Sequence, residues 1–453
     1  MKEKSDEVVA VSVEAHIKSN NPEKALEVLS QSQQAQSASI QLSSNKEATK
    51  ASQELNEKNT QLTMLSRKVS RLKTMPESAT RDKLLEQAEK LLADGKAAFL
   101  TAGRKLREKF EVEYKLSLRY DPLHLPSIQK LLPQDVAVLQ YFATDNEFYI
   151  FVVTHDDLKL RQVTIKREEL DNLVLDYLTA IRRLKDTTAL SKRLYGVLFE
   201  PAAKDIASSK TLILLPSGEL NSLPFASLTD ATGAPIINSK SLVALGQTDD
   251  FRKIAETEPL PINKVAVFAN ATKDLPSAER EGESVAELFP GSQVFTREKA
   301  SKKNLTDFPQ FGNALHLATH GTQHPKNSTE NYLSLSDGHL EQGEIFRLPL
   351  ENTALVTLSA CSTALREKGN KKFIYATTLA EAFWLGGSRS VVASLWQVDD
   401  ESTRLLMVEF YKQLKAGESK ATALRLAQES LRNNPNFSHP FFWSGFVLFG
   451  DYR

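Results

Sequence analysis

One cysteine, Cys361, and one histidine, His320, each follow a short apolar run in this 453-residue sequence. A thiol and an imidazole brought together can perform nucleophilic catalysis. The first run ends in Ala318-Thr319-His320-Gly321 and the second in Leu358-Ser359-Ala360-Cys361, which holds the only cysteine of the chain. A thiol with the ordinary pKa of about 8.5 is only a few per cent ionised at neutral pH, and a neighbouring imidazole changes that. Each run is bounded by turn residues, which predicts a buried strand in a mostly parallel sheet. The carboxyl ends of such strands are where open α/β sheets bind their ligands. Cys361 is therefore the candidate nucleophile and His320 the candidate general base and acid. The backbone N–H groups of Gly321 and Cys361 are candidates for an oxyanion hole, and Gly321 has no Cβ to obstruct an approaching carbonyl. Taken alone, a free cysteine at a strand end also reads as a small buried hydrophobe.

Composition narrows the classes. Hydrophobic residues at 41% and charged residues at 25% are ordinary for a soluble globular protein. Lys and Arg equal Asp and Glu, 57 against 57, so no global field favours nucleic acid or an anionic membrane. The sequence contains no apolar run of about 20 residues, and the N-terminus lacks the apolar core of a signal peptide. A cytoplasmic protein is expected. A lone cysteine excludes an internal disulfide and a multi-cysteine zinc site. Phosphate-loop, nucleophile-elbow and dinucleotide glycine patterns are missing, so neither a cofactor nor a metal is expected.

The elements that must hold the two residues can be read in order. Val8 to Leu29 is helical in pattern, and Asn20-Asn21-Pro22-Glu23-Lys24-Ala25-Leu26 looks like part of a tetratricopeptide repeat. One such repeat cannot bury its own apolar face. Residues 1–50 are thus read either as the remnant of a repeat array plus a linker, or as one amphipathic helix followed by a linker. Leu55, Leu62, Leu65, Val69 and Leu72 form a heptad seam that stops at Met75-Pro76. A second apolar set runs from Leu84 to Phe110. Residues 51–120 are accordingly expected to form a long antiparallel hairpin, serving as an interaction element or as packing for the next domain. From Val136 the period changes to two, predicting a meander over Val136–Phe142, Glu147–Val153 and Leu158–Ile165. Helices are expected from Glu168 to Lys185 and from Leu190 to Ile206. Strands and helices then alternate to Arg432, which predicts a parallel sheet with helices on both faces.

Five separated motifs resemble, in order, the CHAT-domain branch of the caspase-like cysteine proteases. They are Leu215-Pro216-Ser217-Gly218-Glu219-Leu220 with Leu223-Pro224-Phe225, Pro276-Ser277-Ala278-Glu279-Arg280-Glu281, the His320 strand, the Cys361 strand, and Ser390 to Asp400 followed by His439-Pro440-Phe441-Phe442-Trp443. The resemblance begins near Leu125. It implies a caspase-like domain over 125–453, with an N-terminal half at 125–260 and a catalytic half at 261–453. It also implies peptide-bond hydrolysis of a protein substrate by a Cys361–His320 dyad with no required third residue, and a partner or regulatory protein acting through the helical N-terminal region. The family often has an acidic residue directly after the cysteine, where this chain has Ser362.

Three further positions carry two readings each. Asp399 either lines the pocket for the residue before the scissile bond, favouring Lys or Arg, or caps a helix. Trp396 is a wall of that pocket or part of the core. His316 lies four residues before His320, but on a strand that spacing is about 13 Å, too long to share one metal ion; it reads as a satisfied buried histidine. Residues 366–372 form a polar, basic loop, expected to be a solvated connector or a self-cleavage site. Two rivals to a protease stand: a catalytically idle caspase-like scaffold, and another cysteine-dependent hydrolase or acyltransferase using the same pair.

Overall fold

The computed structural model describes residues 2–42, 78–109, 125–246, 249–322, 331–345, 347–359, 379–397 and 399–453, with scattered positions between 50 and 76. The chain divides into two compact units, one formed by Met1–Gln33 with Pro122–Arg453 and the other by Gln34–Asp121. No helix of the described residues is long and apolar enough to cross a membrane.

The chain begins with α1 (Lys2–Lys18) and α2 (Pro22–Leu42), of which the residues up to Gln33 belong to the larger unit. Asn20 takes φ of 57° between them, a left-handed conformation that Asn tolerates better than most residues. Pro22 opens α2 at the one helical turn where a missing N–H is harmless. Val13, Ala25, Leu26 and Leu29 are buried in the main core of this unit. In the smaller unit, α3 (Ala79–Lys109) follows the break at Met75-Pro76. Ser78 starts it by accepting the Arg81 N–H at 3.1 Å. Val69 and Leu72 bury themselves against Ala88 from the far side of the break, and Lys73 reaches Glu89 at 2.9 Å.

An 11-stranded sheet dominates the larger unit. Its strands are β1 (Val136–Ala143), β2 (Phe148–Val153), β3 (Leu158–Val163), β4 (Thr211–Leu215), β5 (Ser241–Ala244), β6 (Val265–Ala269), β7 (Gln293–Thr296) and β8 (Ala314–Ala318), then β12 (Leu355–Leu358), β13 (Ser390–Ser394) and β14 (Phe446–Gly450). Between β8 and β12 a separate three-stranded sheet holds β9 (Gly321–Thr322), β10 (Tyr332–Leu335) and β11 (Gly338–Glu341). The order of the large sheet is β3-β2-β1-β4-β5-β14-β13-β12-β8-β6-β7. Strands β13, β12, β8, β6 and β7 run parallel to one another, so their carboxyl ends share one edge of the sheet. Strands β1, β4, β5 and β14 form a second parallel set. The antiparallel β13–β14 pair joins the two sets.

Helices that follow in this unit include α4 (Arg167–Arg182), α5 (Thr188–Leu198), α6 (Pro276–Leu288), α7 (Leu379–Leu385), α8 (Asp400–Lys415) and α9 (Lys420–Arg432). Sorting by strand pleat separates two cores. Val267, Ala269, Ala314 and Ala318 join Val285 of α6 and Phe410 of α8 in one cluster. The alternate positions Ala266, Phe268, Leu315 and Leu317 join Leu379 and Phe383 of α7 in the other. Because both faces are covered, the central strands read as unbroken apolar runs. The helix expected to reach Ile206 ends at Leu198, followed by a 3-10 turn over Glu200–Ala202. Pro201 has no N–H to continue the ladder.

A close approach holds α6 against β6 in the site-bearing half. A Cβ on Gly282 of α6 would lie 2.5 Å from Cγ1 of Val267 in β6. Overpacking of this kind costs about 1–3 kcal/mol, against about 1 kcal/mol gained in helix propensity. Gly282→Ala is expected to lower the urea unfolding midpoint, a net loss of up to about 2 kcal/mol on these magnitudes; a raised midpoint would contradict the packing described.

Candidate active site

His320 stands two residues beyond β8, on the edge where β6, β12 and β13 also end. The chain leaves the strand under tight control. The buried Thr319 hydroxyl donates to the Ser334 carbonyl at 2.7 Å, and the Ser334 N–H donates to the His320 carbonyl at 2.8 Å. Gly321 and Thr322 then pair with Leu333 and Tyr332 of β10. The backbone of the His-Gly motif is thereby held against a second small sheet, while the imidazole remains 36% exposed.

Nε2 of that ring lies 2.9 Å from Oδ2 of Asp274. Asp274 belongs to the loop from β6 to α6, which is organised by the buried Asn270. Asn270 takes φ of 52°, and its N–H donates to the Ala318 carbonyl at 3.0 Å. Its side-chain oxygen accepts the Leu275 N–H at 2.7 Å, while its amide donates to Glu279 at 2.6 Å. Arg297 grips the same Glu279 carboxylate at 2.8 and 3.3 Å. Hydrogen bonds from Thr272 and from His320 hold the Asp274 carboxyl below the ordinary carboxylate range. It is an anion throughout the neutral range.

Cys361 falls outside the described residues, as do Ser362 and the loop 366–372. The strand leading to it, β12, lies parallel beside β8, with Leu355 opposite Ala314 and Leu358 opposite Leu317. That register is an offset of 41 positions, 358 less 317. The same 41 separates Cys361 from His320 in the sequence, 361 less 320.

Two further histidines, His316 and His439, have partners of their own. His316 is fully buried, with Nε2 2.9 Å from Glu281 Oε1 on α6. Its Nδ1 has no hydrogen-bond partner. Beside it, Tyr411 packs edge-on at a ring separation of 5.7 Å and exchanges a hydrogen bond with Thr357 at 2.8 Å. Burial pushes the Tyr411 phenol well above its ordinary pKa. His439 accepts the Phe441 N–H on Nδ1 at 3.2 Å and meets the Lys185 carbonyl through Nε2 at 2.9 Å, capping the Pro440–Trp443 turn.

Trp396 and Asp399 sit on the loop that follows β13. Trp396 is 2% exposed, donates Nε1–H to the Phe441 carbonyl at 3.1 Å and stacks on the Phe441 ring. A Cβ on Gly445 would lie 3.0 Å from its indole, so the closing His-Pro-Phe-Phe-Trp segment and the Trp396 loop pack as one unit. Asp399 caps α8, accepting the Ser402 N–H at 2.9 Å. Loss of such a cap costs about 1 kcal/mol. Asp399→Ala is expected to lose that stability in urea unfolding, whereas Asp399→Asn, which can still cap, should retain it; equal stability of all three proteins would deny the cap any weight.

Asp274 was not singled out in the sequence, and its only local signal is its place two residues before Pro276, which opens α6. Glu279 and Glu281 lie within a recognised motif, but nothing in the spacing tells that one braces the Asn270 loop and the other meets His316.

Residues 188–451 match the family model described as CHAT domain. Over 320 residues the chain is 23% identical to tetratricopeptide repeat protein 28 of Homo sapiens, an alignment covering 57% of this chain. It spans only 13% of the length of that relative. Among solved structures, the Saccharomyces cerevisiae separase–securin complex superposes at a TM-score of 0.49 with 12% identity, covering 87% of this chain and 37% of that one. The Arg-specific cysteine proteinase gingipain R superposes at 0.41 with 11% identity, over 63% and 74%.

Proposed function

The chain belongs to the CHAT-domain family, and from that premise we propose that it is a cysteine endopeptidase working through Cys361 and His320. The observation that carries the reading is that β8 and β12, the strands that lead to His320 and towards Cys361 in the sequence, are parallel neighbours whose carboxyl ends share one edge of the sheet. Neighbouring parallel strands lie about 4.8 Å apart, a spacing that lets a thiol and an imidazole on adjoining strand ends meet.

In the proposed reaction the Cys361 thiol passes its proton to His320 as sulfur attacks the scissile carbonyl, whose π electrons move to oxygen. The N–H groups of Gly321 and Cys361 receive that oxyanion. Collapse of the tetrahedral adduct breaks the C–N bond, and His320 gives its proton to the departing amine. Water then attacks the thioester, again losing a proton to His320, which returns it to the leaving thiolate. Asp399 is the charged group proposed to favour Lys or Arg before the cut, with Trp396 supporting its loop from beneath. The substrate is a protein, and the helical N-terminal region is proposed to receive a regulatory partner, as the tetratricopeptide-like turn at Asn20–Leu26 suggests.

Incubating the protein with a peptide library and reading new N-termini tests the proposal. Wild type should generate termini that Cys361→Ala does not. Identical sets from both would favour the idle scaffold instead.

A further inference from the structure

We propose that Asp274 is the positioning residue for His320: its carboxylate receives the Nε2–H, leaves the Nδ1 lone pair for the thiol proton, and stabilises the imidazolium once that proton has moved. The inference rests on the reading of His320 as the catalytic base. Its ground is the 2.9 Å contact between side chains 46 positions apart, made by a loop that is built rather than loose. Asn270 ties that loop to the end of β8 through the Ala318 carbonyl and to its own far end through Leu275. His320 and Asp274 are therefore held from the same strand end. A carboxylate fixed on one imidazole nitrogen selects the tautomer at the other.

The charges around the pair are matched to one another. Lys273 meets Glu298 at 2.5 Å and Arg297 meets Glu279 at 2.8 Å. Asp274 is held by the Thr272 hydroxyl and the imidazole. With Asp274 62% and His320 36% exposed, the contact adds little to stability, so its removal should leave the fold intact and register in reactivity.

The presence of one cysteine makes the test direct. Iodoacetamide alkylation of Cys361 is followed by intact mass from pH 5.5 to 9.5 for wild type, Asp274→Asn and His320→Ala. A thiolate–imidazolium pair keeps wild type reactive well below the ordinary thiol range. Asp274→Asn should react about tenfold more slowly near pH 6.5, the effect of one pKa unit, and converge with wild type near pH 9.5, where any thiol is ionised. Superimposed wild-type and Asp274→Asn profiles, both distinct from His320→Ala, would overturn the role of Asp274 alone. A wild-type profile already like that of an ordinary thiol would overturn the dyad, and this inference with it.

Discussion

His320→Ala is expected to lower kcat/KM on a peptide substrate by about 10²–10⁴-fold, the usual contribution of a positioned acid and base. Loss of labelling in Cys361→Ala would say little, because that variant contains no thiol at all. The informative comparison is between variants that keep the sulfur. His320→Ala retains Cys361, so its slowed peptide cleavage and slowed reaction with a peptide electrophile report the imidazole. In the proposed mechanism the two residues act on one proton, so the double variant should be no slower than the worse single one. A His320→Ala protein that cleaved at the wild-type rate would remove the mechanism. Turnover by Cys361→Ala would do the same for the nucleophile.

The second large effect concerns stability and lies at Glu281. This carboxylate is 3% exposed and His316 is fully buried, so the 2.9 Å contact between them is cut off from water. Nδ1 of His316 already lacks a partner. Glu281→Ala would leave both ring nitrogens without one. Stranding a neutral buried polar group costs about 1–3 kcal/mol, and stranding a buried charge about 3–5 kcal/mol. The expected loss in urea unfolding is thus at least about 1 kcal/mol, with the larger range marking an ionic pair. Glu281→Gln keeps an acceptor for Nε2–H and separates the cases, falling near wild type for a neutral imidazole and well below it for an imidazolium. Replacing both partners by leucine should recover much of the loss, since an apolar pair strands nothing. A Glu281→Ala protein within about 0.5 kcal/mol of wild type would show that the contact carries no weight.

Several features were readable from local pattern. The meander was expected from period two, and its three strands and the turns at Asp145-Asn146 and Asp156-Asp157 form, with Thr144 and Thr154 closing the turns on Glu147 and Asp157 at 2.9 Å, but β1 and β2 are buried on both faces rather than alternating. The runs before His320 and Cys361 read as buried strands because apolar residues fill both faces of β8 and β12. The Asp-Asp-Glu-Ser-Thr segment offered Asp399 as a helix start, and the cap is made. The short strands were harder to see. β5 and β7 have four residues each, fewer than periodicity needs to stand out, and β14 alternates over only five. Their place comes from pairing: β14 enters between β5 and β13 and makes one continuous sheet of two oppositely directed sets.

By itself the sequence determined which residue types stand at the strand ends, and that the strands beneath them are buried, because side-chain period and turn chemistry act over a few neighbouring residues. Tertiary structure alone decided that His320 meets Asp274, that His316 is taken by Glu281 and that Trp396 rests on Gly445 and Phe441. Those contacts join residues 35 to 46 positions apart through hydrogen bonds. Nothing in local propensity encodes such distances; strand register and the left-handed turn at Asn270 bring the partners together.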